Sequence, residues 1–151
     1  MFTHDYVRMT EFQFSEPVSI PVTAPLSLLN ATLAQATIKI NNIKDRVLIS
    51  ATVGWFNNFY SPGVVGATFT IRRNGIPIAS VVQTVSNPCH KANSVYNVAR
   101  ILFVDKPLAE VLSAGSSGSA GIQVTYTLTS DATEHTAFTA GPITLTLAEI
   151  E

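Results

Sequence analysis

Cys89 is followed directly by His90, and a thiol next to an imidazole is the raw material of a nucleophile–base pair. Adjacent residues in a strand or loop point apart, so His90 is badly placed to take a proton from Cys89. The three histidines, His4, His90 and His135, show no metal-ligand spacing. Asp131 and Glu134 sit close together in a turn. Solvation is their simpler role, since calcium needs more oxygen ligands than that segment offers. Residues 113–121, Ser-Ala-Gly-Ser-Ser-Gly-Ser-Ala-Gly, lack the lysine and following helix of a phosphate-binding loop. No G-x-S-x-G nucleophile elbow is present. The expectation is a protein that is not an enzyme, with no cofactor and no metal.

Two aromatic groupings are left. Trp55, Phe56, Phe59 and Tyr60 surround Asn57 and Asn58. Such a cluster either closes a core at a strand end or stacks a sugar or a partner, because large aromatics dominate core and interface burial alike. The second grouping is N-terminal: Phe2, Tyr6, Met9, Phe12 and Phe14, with Val7 among them, are far too apolar for a solvated tail. Residues 1–16 are therefore expected to form an arm, and residues 17–151 the domain proper. The arm is either donated to a neighbouring subunit, a head-to-tail contact that gives rings or filaments, or folded back as an edge strand of its own domain.

The elements that position these residues read as strands. Ala67, Phe69 and Ile71 alternate with Thr68, Thr70 and Arg72, the period-2 pattern of a half-buried strand. Asn74-Gly75 follows, and both types tolerate the positive φ of a two-residue type I′ turn. The return strand carries Pro77, which cannot donate to a ladder and suits an edge. The same alternation marks Ala36-Ile38-Ile40, Val47-Ile49-Ala51-Val53, Ile122-Val124-Tyr126-Leu128 and Ile143-Leu145-Leu147. The expected core includes Ile49, Ala51, Val53, Phe69, Ile71, Val124, Tyr126, Leu145 and Leu147. Residues 95–104 read as another strand, and residues 108–112 as a helical turn. Pro17, Pro21 and Pro25 punctuate an extended edge segment. With about eight to ten short strands and no long amphipathic helix, the fold class is an all-β, single-domain two-sheet sandwich or jelly roll.

Composition narrows the partners. Charged residues make up 13% of the chain, against roughly 25% in ordinary soluble domains, and the net charge is −1. A low-charge, threonine-rich surface solubilises poorly, so part of it is expected to be covered by other copies of the chain. Scattered lysines and arginines argue against nucleic acid, which needs clustered positive charge. No apolar run approaches the length of a membrane span, so no membrane insertion is expected. The first residues lack the basic start and apolar core of a signal peptide. Cys89 is the only cysteine and cannot staple its own chain. It is expected to be a buried apolar side chain, with a free thiol or an intermolecular bridge as alternatives.

Three stretches carry a resemblance: ISATVGWF at 49–56, ATFTIRRNGIPI at 67–78 and AGPITLTLAEI at 140–150. Together they resemble small β-sandwich proteins of the Bacillus spore surface, of the exosporium-protein-C type. More loosely, they are similar to the tumour-necrosis-factor-like jelly rolls of exosporium basal-layer proteins. The resemblance spans residues 38–151. It implies a structural, self-assembling subunit of a layer or fibre, made in the mother-cell cytoplasm and placed on the spore surface with itself and other spore-coat proteins as partners. It carries over no catalytic residues. The chain lacks the N-terminal cysteines of spore-appendage pilins and the Gly-X-Y repeats of collagen-like spore proteins. Two further functions are consistent with the residues alone: a jelly-roll binding module for carbohydrate or a protein receptor, and a phage or virion structural protein.

Overall fold

Alternating apolar and polar side chains become eight strands in the computed structural model, which describes residues 8–15, 23–26, 29–111 and 121–151. They are β1 (Met9–Ser15), β2 (Ala31–Ile40), β3 (Arg46–Phe59), β4 (Gly63–Arg73), β5 (Ile76–Asn87), β6 (Asn93–Asp105), β7 (Ile122–Ala132) and β8 (Ala137–Ile150). One helical turn, α1 (Leu108–Val111), lies between β6 and β7.

The pairings follow one rule. β4 pairs with β5, β3 with β6, β2 with β7 and β1 with β8, all antiparallel. The chain is thus a long double ribbon whose tip is the β4–β5 hairpin. Asn74 and Gly75 at that tip have φ of 47° and 85°, the positive values a two-residue turn requires. Rolling the ribbon brings β3 beside β8 and β4 beside β7. The result is two four-stranded sheets, β1-β8-β3-β6 and β2-β7-β4-β5, packed face to face as a jelly roll. Pro77 lies on β5, an edge strand, where its missing N–H costs no ladder bond.

The core fills the space between the sheets. All nine residues expected there from alternation are buried, together with Trp55, Leu128 and Ile38. The Trp55 ring packs on Phe69 at 6.1 Å, and its indole N–H donates to Gln83 Oε1 at 3.1 Å. Burial therefore leaves no orphan donor on the largest core side chain. Cys89 departs from expectation. It is exposed in the loop after β5, where its backbone N–H donates to Asn87 Oδ1. Pro88, Cys89 and His90 are all exposed, so no apolar pocket forms around the thiol.

Buried charge fastens the sandwich at two places. Asp105, at the end of β6, accepts both short bonds of Arg73 Nη1, at 2.6 and 2.7 Å, and one from the Tyr126 hydroxyl at 2.8 Å. This ties an edge strand of one sheet to two strands of the other. Burial, then the bond to Asp105, pushes the Tyr126 phenol far above its ordinary range, so it stays a donor. At the other place Glu149, fully buried, accepts from the backbone N–H groups of Asn41 and Asn42 and from Asn41 Nδ2. Its carboxylate holds the turn between β2 and β3.

Asp45 lies in that same turn. Burial, and then repulsion from Glu149 and Glu151, push its carboxyl above the ordinary carboxylate value. A raised value means that the fold favours the protonated form. Charge on Asp45 therefore costs stability at neutral pH, and the cost fades as pH falls through the raised value. Asp45→Asn should melt slightly above the parent at pH 7. That advantage should shrink on acidification in paired melting curves. A lower melting temperature for the variant at pH 7 would contradict this.

Candidate functional site

The two sheets present different outer faces. On β2-β7-β4-β5 the outward residues are Gln35, Thr37 and Lys39, then Thr125 and Thr127, then Thr68 and Arg72, then Ser80, Thr84 and Ser86, with Val64 and Val82 exposed among them. This is an ordinary solvated β face. On β1-β8-β3-β6 the register aligns one wholly apolar row and places large apolar side chains at both ends of the next. Phe12, Ala148, Leu48 and Val104 form one row. Phe14, Thr146, Ser50 and Leu102 form the next. Thr144, Thr52 and Arg100 follow. At the far end Phe56 stacks between Tyr96, at 4.9 Å, and Phe138, at 5.5 Å. Leu102 is 76% exposed and Phe14 60%, and Tyr96 and Val98 also face solvent. Arg100 is the single charge in these rows.

The residues singled out in the sequence are distributed as follows. Met9–Ser15 completes the edge of its own sheet against β8, and Met9, Phe12 and Phe14 keep about half or more of their surface exposed. Phe2 and Tyr6 lie outside the described residues, as do His4, Pro17, Pro21 and nearly all of 113–121. The pleat of β3 and the turn after it separate the aromatic cluster. Trp55 and Phe59 point into the core, Phe56 points to the outer face, and Tyr60 stands in the loop after the strand, 77% exposed. His90 and His135 are exposed, and no cluster of three or more metal-ligating side chains exists among the described residues.

The sequence reading missed the contribution of β6 to the outer face. The signal was present. Val95, Ala99, Ile101 and Phe103 occupy one parity of that strand, and Tyr96, Val98, Leu102 and Val104 the other. A strand apolar at both parities is one that expects cover on both faces.

A second feature lies at the end of the roll where the loops after β3, β5 and β7 meet. Two open clefts flank Tyr60. The larger, about 570 Å³, is lined by Asn58, Tyr60, Asn93 and Ser94. The smaller, about 240 Å³, is lined by Asn57, Tyr60, Glu134 and Thr136. Phe59 forms part of both walls.

No protein-family model matches the chain, and no curated protein matches it. Among solved structures it is similar to part of dimeric latent PorU from Porphyromonas gingivalis, at 12% identity and a TM-score of 0.42. That match covers 93% of this chain and 12% of PorU. It is also similar to part of the infectious bursal disease virus structures of the Gt and Gx strains, at 15% and 17% identity and TM-scores of 0.34 and 0.31. Those matches cover 96% and 97% of this chain and 38% of each viral chain. The chain thus spans well under half the length of each of these proteins, and at such scores the likenesses carry no argument about function.

Proposed function

We infer that this chain is a structural subunit that assembles with copies of itself through the outer face of the β1-β8-β3-β6 sheet. The observation that carries this is the contrast between the two outer faces: one polar and threonine-rich apart from Val64 and Val82, the other carrying the Phe12–Val104 row, Phe14 and Leu102 beside it, and the Phe56 stack at its far end. Large apolar side chains gathered in the open on one sheet face mark an interaction surface. The occupant that fits best is a second copy. The face offers few charges, Arg100 in its rows and Arg46 beside Ile150 at its edge, and homo-oligomer interfaces are the apolar, charge-depleted class. Four strands at ~4.8 Å spacing, over ten residues at ~3.3 Å rise, give roughly 600 Å² of sheet. That is of the order of the ~800 Å² per partner in a standard interface. With β1 paired to β8 of its own sheet, the contact proposed is face to face. The resemblance to exosporium proteins supports a spore-surface layer as the setting, with assembly after synthesis in the mother cell.

Light scattering on the purified chain tests this. The parent should be oligomeric at micromolar concentration. Leu102→Asp and Phe14→Asp should each weaken association by about 2 kcal/mol or more, since charge would be buried at the centre of the contact. Both sites are exposed within one chain, so the released monomer should keep its circular dichroism spectrum. Val82→Asp, on the opposite sheet, should leave the mass unchanged. A parent that stays monomeric at all concentrations, or one in which Leu102→Asp changes nothing, would refute the assembly face. Immunogold labelling of spores tests the location separately.

A further inference from the structure

We propose that the loop end around Tyr60 is a binding site for a neutral carbohydrate, independent of the assembly face. The chemistry required is an exposed aromatic face for the apolar C–H side of a sugar ring, with amide and hydroxyl groups beside it for the sugar hydroxyls. Tyr60 supplies the first. It stands between the two clefts, 77% exposed.

The amides come from the end of β3. Ser94 Oγ donates to Asn58 Oδ1 at 2.6 Å, which fixes that side chain and leaves its NH₂ group without a partner among the described residues. Asn57 is more telling. It is 1% exposed, and the Thr136 hydroxyl donates to its Oδ1 at 2.8 Å, yet its Nδ2 has no partner among the described residues. Rotating the amide end for end would pair Nδ2 with Thr136 and orphan the oxygen instead. An amide buried with half its hydrogen-bonding capacity unmet costs stability, and such a group calls for a bound polar partner. Asn57 lines the smaller cleft, so that partner enters there.

The walls decide the ligand class. Glu134 contributes one exposed carboxylate, an acceptor for vicinal hydroxyls, and no lysine or arginine lines either cleft. A phosphate, a sulfated sugar or a nucleic acid would find no counter-charge. The sequence marked Tyr60 with Asn57 and Asn58, but Ser94, at the start of β6, and Glu134, in the loop after β7, join them only through the fold.

Titration of the isotope-labelled protein, with the side-chain amide signals of Asn57 and Asn58 as the readout, tests the proposal. The probes are neutral hexoses, N-acetylhexosamines and 6-deoxyhexoses, each raised to tens of millimolar. At least one class should produce saturable shifts at both amides. Tyr60→Ala, at an exposed position that leaves the fold intact, should weaken that binding about tenfold or more. Glu134→Gln should weaken it less, since the amide oxygen still accepts. No saturable shift with any neutral sugar would overturn the site. So would binding that Tyr60→Ala leaves unchanged, or shifts produced by anionic sugars alone. Light scattering on the same Tyr60→Ala sample keeps this result separate from the assembly face, because the oligomer mass should not change.

Discussion

Asp105→Ala should cost about 3–5 kcal/mol of stability, the loss expected when one member of a buried ion pair is removed. Asp105 is 3% exposed, and it is the acceptor for Arg73, for the Tyr126 hydroxyl and for the backbone N–H of Lys106. Truncation leaves a largely buried guanidinium without its counter-charge and a buried phenol without its acceptor. Each is a desolvated group with nothing to replace water. The sheets also lose the tie between β6 and the β4–β7 pair. Removing both charges together, as in Arg73→Met with Asp105→Leu, should cost less than Asp105→Ala alone, because no unpaired charge remains. Chemical denaturation of the parent, Arg73→Met, Asp105→Leu and the double variant gives the coupling directly. A loss below about 1 kcal/mol for Asp105→Ala would show that water reaches the cluster and that the tie is not what the geometry indicates. Domains of this kind hold only about 5–15 kcal/mol in all, so expression at reduced temperature suits this variant.

Gly54→Ala should be comparably damaging, by about 3 kcal/mol or more, for a steric reason. β3 and β8 change register between Val53 and Trp55, where Ala140, Gly141 and Pro142 bulge out of β8. The bulge lays the Ala140 carbonyl across Gly54, and a Cβ there would overlap that oxygen and press on its carbon at 3.0 Å. Neither side yields easily, since both are backbone held by ladder bonds above and below. Two neighbouring glycines give the comparison. At Gly141 the added Cβ meets nothing, so Gly141→Ala costs only the strain of its φ of +88°, roughly 1 kcal/mol. At Gly63 the nearest atoms are Phe59 ring carbons at 3.8 Å, ordinary contact, and Gly63→Ala should be near neutral. Thermal melts of the three variants should fall in that order. A Gly54→Ala protein as stable as Gly63→Ala would mean that the bulge rearranges freely.

The strands, the hairpin turn and the core were fixed by local sequence. A β-strand sends alternate side chains to opposite faces, so Val47-Ile49-Ala51-Val53 and Leu145-Leu147 declare their buried side without knowledge of their neighbours. Asn74-Gly75 declares its turn because few other pairs accept two positive φ values in succession. What alternation cannot state is which strands lie side by side. Phe14 and Leu102 face the same solvent in aligned rows only because β1, β8, β3 and β6 share a sheet, and those pairings join residues up to 141 positions apart. The same limit hid the roles of Asp105 and Glu149, which look like strand-end charges until the second sheet closes over them. It also hid the split of Trp55, Phe56 and Tyr60, one group in the chain but three environments in space. Local chemistry sets each side chain's face, while long-range pairing sets its neighbours. Both candidate surfaces are made of neighbours, so only the tertiary structure could assemble them.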